Sequence, residues 1–156
     1  MNYEITKDTQ IIMPIKKKNT KVIEDEIQFT VKCTPLEIIE HSCEYFGSSF
    51  AGRKEGTKKM LGITHKPPII IEESTKLIFF PTNSPESSNC IWINLERIDR
   101  YFKINAKKSE ILFKNGNKIQ FNMSFGSLTN QILRATRLKF VLDERTRKKY
   151  QKKDNF

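Results

Sequence analysis

Two histidines and three cysteines are all that 156 residues hold of the side chains that most often carry metal, redox or nucleophilic chemistry. Cys33, Cys43 and Cys90 are odd in number and form no C-x-x-C pair, which argues against a disulfide framework. With His41 and His65 they give no zinc-finger spacing, and Cys43 falls on an apolar helical stripe where a buried thiol is common, so no metal or other cofactor is expected. Cys43 paired with His41 or His65 as a base lacks an evident orienting carboxylate, so the chain is not expected to be an enzyme. No apolar run approaches the roughly 20 residues of a membrane span. The opening "MNYEITKDTQ" carries no signal-peptide pattern, and a cytoplasmic location is expected. Helix-turn-helix, zinc-finger and basic-zipper patterns are missing as well, so major-groove reading has no motif.

Phosphate-binding loops are approached but not reached. "GSSFAGRK" places Gly47 and Gly52 at the spacing of G-x-x-x-x-G-K-[ST], yet Arg53-Lys54 follows where the motif needs Lys and a hydroxyl. In "GRKEGTKK" the glycines Gly52 and Gly56 stand one residue too close, and Thr57-Lys58 is in reversed order. A helix precedes the segment, where that loop wants a strand. Nucleotide hydrolysis is set aside. The pattern itself still asks for a reason, because each glycine in a helix interior costs about 0.8–1.0 kcal/mol relative to alanine. Either the backbone approaches something closely or the segment is a loop of unusual dihedrals. Both answers put a partner beside Arg53, Lys54, Lys58 and Lys59.

What the chain does have is positive charge, unevenly spread. The net charge is +10. Residues 1–50 hold 6 Lys/Arg against 8 Asp/Glu, a balance of −2, while residues 51–156 hold 22 against 10, a balance of +12. An acidic third of structural character and a basic remainder that meets a polyanion is the reading this supports, against the plainer one that lysine keeps the protein soluble. Lysine and arginine neutralise DNA phosphates, glycine admits a backbone, and arginine enters the narrow minor groove of A-tracts. Hydrophobic residues at 37% exclude a wholly disordered chain, and the length suits one domain with a real core.

Local patterns predict an α+β fold: about eight short, mostly antiparallel strands, two internal helical segments and a C-terminal helix. "TQIIMPIK" reads as a strand, "KKKNTK" as a turn, and Ile27, Phe29, Val31 and Cys33 alternate with period two. Thr34 is the expected cap of the first helix, with Pro35 at its first position and Glu37 completing a capping box. Leu36, Ile39, Cys43 and Phe46 are its expected buried stripe, and Gly47 its stop. Ile69–Ile71, Leu77–Phe80 and "CIWINL" read as buried strands, and Ile98, Phe102 and Ile104 as the inward side of another. In residues 109–123, alternation on both arms requires a three-residue Lys114-Asn115-Gly116 loop that pairs Ile111 with Ile119, with Gly116 left-handed. Ser127 is expected to cap the last helix, with Leu128, Ile132, Ala135, Leu138 and Leu142 buried. The expected division is a single DNA-binding domain over residues 1–142 and a basic, flexible tail over residues 143–156.

Three blocks, "SCEYFGSSFAGRKEGT" (42–57), "THKPPIII" (64–71) and "FFPT" (79–82), resemble the competence transcription factor family, ComK. "CIWIN", "FKNGNKI" and "SFGSLTNQILRA" agree more loosely, and the likeness covers roughly residues 25–142. The resemblance implies a nucleoid-associated activator of bacterial genes for DNA uptake and transformation. It implies A·T-rich double-stranded boxes read largely through the minor groove, a homodimer that assembles further on the promoter, RNA polymerase, and a proteolytic adaptor. With the charge pattern it marks Arg53, Lys54, Lys58, Lys59 and Lys66 as candidate DNA contacts, and Arg134, Arg137 and Lys139 behind them. The alternative is a basic interaction module that binds RNA or an acidic protein without promoter recognition.

Overall fold

In a computed structural model of the chain, residues 3–154 are described, and side chains over residues 3–151. Nine strands and three α-helices are present among them, α+β as expected. Six strands form one antiparallel sheet in the order β3 (Gln28–Val31), β2 (Asn19–Glu24), β1 (Thr9–Ile15), β6 (Trp92–Asn94), β5 (Leu77–Pro81), β4 (Ile69–Glu72). The other three, β7 (Ile98–Asn105), β8 (Lys108–Phe113) and β9 (Lys118–Phe121), form a second antiparallel sheet. The helices are α1 (Pro35–Tyr45), α2 (Phe50–Leu61) and α3 (Phe125–Asp154).

The continuous apolar runs have a simple cause: the large sheet is covered on both sides, so neighbouring residues of opposite orientation are both buried. Ile11, Ile70, Ile78, Phe80 and Ile93 face the small sheet and α3, packing with Ile111, Phe113, Leu128, Ala135 and Leu138. Their neighbours Ile12, Ile69, Ile71, Phe79 and Trp92 face the other way, onto Ile38, Ile39 and Cys43 of α1. Two apolar layers therefore lie on either side of one sheet, and all five residues of β5 are buried.

Helix α1 starts as its sequence dictates. The Glu37 amide donates to Thr34 Oγ1 (3.2 Å) and the Thr34 amide to Glu37 Oε1 (3.3 Å), with Pro35 at the first position. The buried face, however, is Pro35, Ile38, Ile39, Ser42 and Cys43, and Leu36 and Phe46 lie at its margins. Ser42 turns inward because its Oγ accepts the Ile5 amide at 3.0 Å, a tie 37 residues distant in the chain. The turn before β2 is shorter than "KKKNTK" suggests: Lys17 and Lys18 take φ of 60° and 59°, and the strand resumes at Asn19.

The β8–β9 hairpin has the expected register, Ile111 opposite Ile119. The Phe113 amide donates to the Asn117 carbonyl (2.8 Å) and the Gly116 amide to the Phe113 carbonyl (2.9 Å), so the loop is Lys114-Asn115-Gly116 with Gly116 at φ 96°. Strand β7 departs from its simple alternation. A bulge between Ile98 and Arg100 shifts its phase, so that Ile98 and Tyr101 both turn toward the core, and a second lies between Lys103 and Asn105. Phe102 and Ile104 are left 39% and 42% exposed. The cap of α3 is Ser124 rather than Ser127: the Ser127 amide donates to Ser124 Oγ at 3.2 Å, and the helix already runs from Phe125. Phe125 enters that first turn because its ring packs edge-on against Tyr101, centroids 5.2 Å apart. The stripe Leu128, Ala135, Leu138, Leu142 is buried as expected, with Ile132 half-buried, and the helix continues to Asp154.

Candidate nucleic-acid interface

The basic glycine segment is a helix, not a loop. Ser49 caps α2 by accepting the Gly52 amide at 3.0 Å, and Gly62 ends it in the left-handed region. Of its 12 residues only Thr57 and Leu61 are fully buried, so α2 is held by one narrow face. Gly52, Gly56 and Lys59 fall along the opposite edge at helical spacing. A Cβ at Gly56 would meet nothing within 4 Å, whereas one at Gly52 would lie 3.0 Å from Ser49 Oγ. Neither φ is positive. Gly56 therefore has no conformational or packing requirement inside this protein.

The candidate cations divide by what holds them. Arg53 is turned in, 19% exposed, against Glu73 at 3.6 Å. Its neighbour in the core is Cys43, whose thiol burial pushes up to about 11 while the Arg53 charge opposes the shift. Lys54 lies over the Phe50 ring at 5.6 Å, and Phe50 in turn meets Trp92 edge-on. Lys58 pairs with Glu55 at 3.8 Å, and Lys139 pairs with Glu96. Carboxylates thus offset three of the eight: Arg53, Lys58 and Lys139.

Arg134 and Arg137 are held differently. Arg134 Nη1 donates to the His65 carbonyl (2.9 Å) and to Gln131 Oε1 (3.2 Å); Arg137 Nη1 donates to the Leu61 carbonyl (3.3 Å). Gln131, fully buried, donates from Nε2 to the carbonyls of Lys66 (3.0 Å) and Pro81 (2.8 Å). Residues 131, 134 and 137 recur every three positions along α3 and fasten the end of α2 and the segment after it, where Lys66 takes φ 49°. Carbonyl acceptors orient a guanidinium without cancelling its charge. Among the described residues Lys59, Lys66, Arg134 and Arg137 have no ion pair with a carboxylate. The fold brings Lys66, Arg134 and Arg137 to the seam between the end of α2 and the first half of α3, while Lys59 stands on the outer edge of α2. Lys139 is on the far flank of α3, by the 3-10 turn Leu95–Arg97.

Sequence reasoning passed over Gln131, a polar residue inside an apolar stripe whose position was the available signal. It also passed over the cations of the β7–β8 hairpin, Arg100, Lys103, Lys107 and Lys108. Among the described residues no group of His, Cys, Asp and Glu is arranged to hold a metal, and no helix is long and apolar enough to cross a membrane. The arrangement suits binding to an anionic surface.

The chain matches the ComK protein family over residues 1–147 and belongs to it. The match reaches beyond the 25–142 blocks to take in β1 and β2. A relative, the competence transcription factor of Bacillus subtilis (strain 168), is 33% identical over 158 residues, covering 99% of this chain and 82% of that protein. No solved structure matches.

Proposed function

We propose that this protein is a DNA-binding transcriptional activator of competence genes, those for DNA uptake and transformation, and that it recognises A·T-rich promoter boxes largely through the minor groove. The observation that carries the DNA part is the α2–α3 seam, where backbone carbonyls orient Arg134 and Arg137 without neutralising them, with Lys66 beside them and Lys59 on the outer edge of α2 also free of ion pairs among the described residues. Such charges release counterions from the phosphate backbone on binding. Family membership and the name of the Bacillus subtilis relative support the regulatory part. The open edge at Gly56 favours close approach of a sugar–phosphate backbone to α2. Arg53, Lys58 and Lys139 join the contact only by leaving Glu73, Glu55 and Glu96, and Lys54 by leaving the Phe50 ring.

On this reading the protein acts as a homodimer that assembles further on promoter DNA, engages RNA polymerase and is turned over through a proteolytic adaptor. The minor groove separates A·T from G·C but barely A·T from T·A. The purified protein is therefore expected to footprint an A·T-rich promoter duplex, tolerate A·T-to-T·A exchanges and lose affinity on G·C replacement. Equal affinity for A·T-rich and G·C-rich duplexes of one length would refute groove reading. Tighter binding to RNA or to an acidic polypeptide would favour a basic interaction module instead.

A further inference from the structure

The β7–β8 hairpin belongs to none of the sites above, and its tip has an unusual surface. Strand β9 pairs with β8 no further toward the tip than Ser109, opposite Phe121, so Ile104–Lys108 form a two-stranded end without a third strand. Lys103, Ile104, Asn105, Ala106 and Lys107 are all exposed, and Lys108 half-buried. The turn is stiffened by Asn105, whose Oδ1 accepts the Lys107 amide at 2.9 Å. The bulge between Lys103 and Asn105 leaves Ile104 unpaired, and Ile104 and Phe102, two residues apart, stand 42% and 39% exposed. The same hairpin end carries Arg100, Lys103, Lys107 and Lys108, none ion-paired with a carboxylate among the described residues. One acid, Glu110, pairs directly opposite Phe102 and accepts a hydrogen bond from Gln120 at 3.4 Å.

An exposed apolar side chain at a hairpin end that carries four cations without ion pairs is poorly suited to water and well suited to one polyanion with an apolar interior. Lysines that straddle a groove hold phosphates, and an apolar group pressed on a base step partly unstacks it and bends the duplex. The same bulges and lysines guard the β7 edge against pairing with another strand, which disfavours a second copy of this chain as the occupant. We propose that the β7–β8 tip is a second DNA-contacting element: Lys103 and Lys107 grip the phosphates flanking the minor groove, and Ile104, backed by Phe102, wedges against a base step and bends the site. This rests on the DNA reading above and adds to it an element, a mode of contact and a deformation.

The test uses the full chain. Cys33, Cys43 and Cys90 are all buried, so Ala106→Cys supplies the one readily labelled thiol for an iron chelate that cleaves nearby DNA. Bound to an A·T-rich duplex, the labelled protein is expected to cut both strands with the 3′ stagger of a source in the minor groove. Ile104→Ser, at an exposed position, is expected to keep the wild-type melting temperature, weaken binding about tenfold or more and reduce the bend by at least about 20°. If wild type binds the duplex but the chelate leaves it uncut, or Ile104→Ser binds and bends it as wild type does, the tip is not a contact and the α2–α3 reading stands alone. If Ile104→Ser instead changes the association state of the DNA-free protein in sedimentation, the tip is a seam between copies and the proposal is overturned. Wild-type protein that binds no duplex removes the DNA reading itself, and this inference with it.

Discussion

Gly56→Ala separates folding from binding at one atom. Gly56 is the seventh of 12 residues in α2, its φ is not positive, and an added Cβ would meet nothing within 4 Å. The methyl therefore recovers helix propensity and restricts the unfolded chain without a steric charge against it, a gain of about 0.4–1 kcal/mol. For a chain of this length that is a rise of roughly 2–4 °C in melting temperature per kcal/mol. If the open edge of α2 exists for a DNA backbone, the same methyl occupies the space that backbone enters, and affinity falls. The expected result is a more stable protein that binds A·T-rich duplex more weakly, read by thermal melting and by fluorescence anisotropy at fixed salt. A stabilised variant with unchanged affinity would take the glycine edge out of the interface. A destabilised one would refute the packing argument. Gly52→Ala is a poorer probe, since its Cβ would press on Ser49 Oγ at 3.0 Å and disturb a cap worth about 0.5–2 kcal/mol.

Arg134→Ala and Arg137→Ala are each expected to weaken all duplexes and to flatten log K against log [salt] by about 0.9, with unaltered salt slopes as the contrary result. Gly116→Ala is expected to destabilise the domain by roughly 1 kcal/mol in urea melts, because φ at Gly116 is 96° and the space around it is open, so the whole effect is backbone strain. Burial pushes the Cys43 and Cys90 thiols from the ordinary 9.0 up to about 11. Both groups hold their protons longer when folded, so their contribution is complete below pH 9 and is lost as pH rises toward 11. A Cys43→Ala/Cys90→Ala double variant should start less stable at pH 8 and lose less stability over that window. Parallel losses in variant and wild type would contradict the thiol account.

Features that act within a few residues were legible in the sequence. Thr34, Pro35 and Glu37 announce the start of α1 because a capping box closes in one turn, and its two hydrogen bonds are present. Alternation on both arms of β8–β9 leaves a single register that buries Ile111 with Ile119, because a one-residue slip would turn one arm inside out. The surplus of positive charge beyond residue 50 is likewise composition alone. Tertiary structure decided the rest, because it depends on partners far along the chain. Alternation in β7 failed at the bulge after Ile98 set by its pairing with β8, and the face of α1 turned because Ser42 meets Ile5. The cations show the division most clearly. That eight Lys and Arg sit in suggestive places is sequence. That Glu73 takes Arg53 and Glu96 takes Lys139, while backbone carbonyls hold Arg134 and Arg137, is settled by contacts spanning 20 to 76 residues. Charge is a property of a side chain, but whether it remains available to a partner is a property of what the fold places beside it.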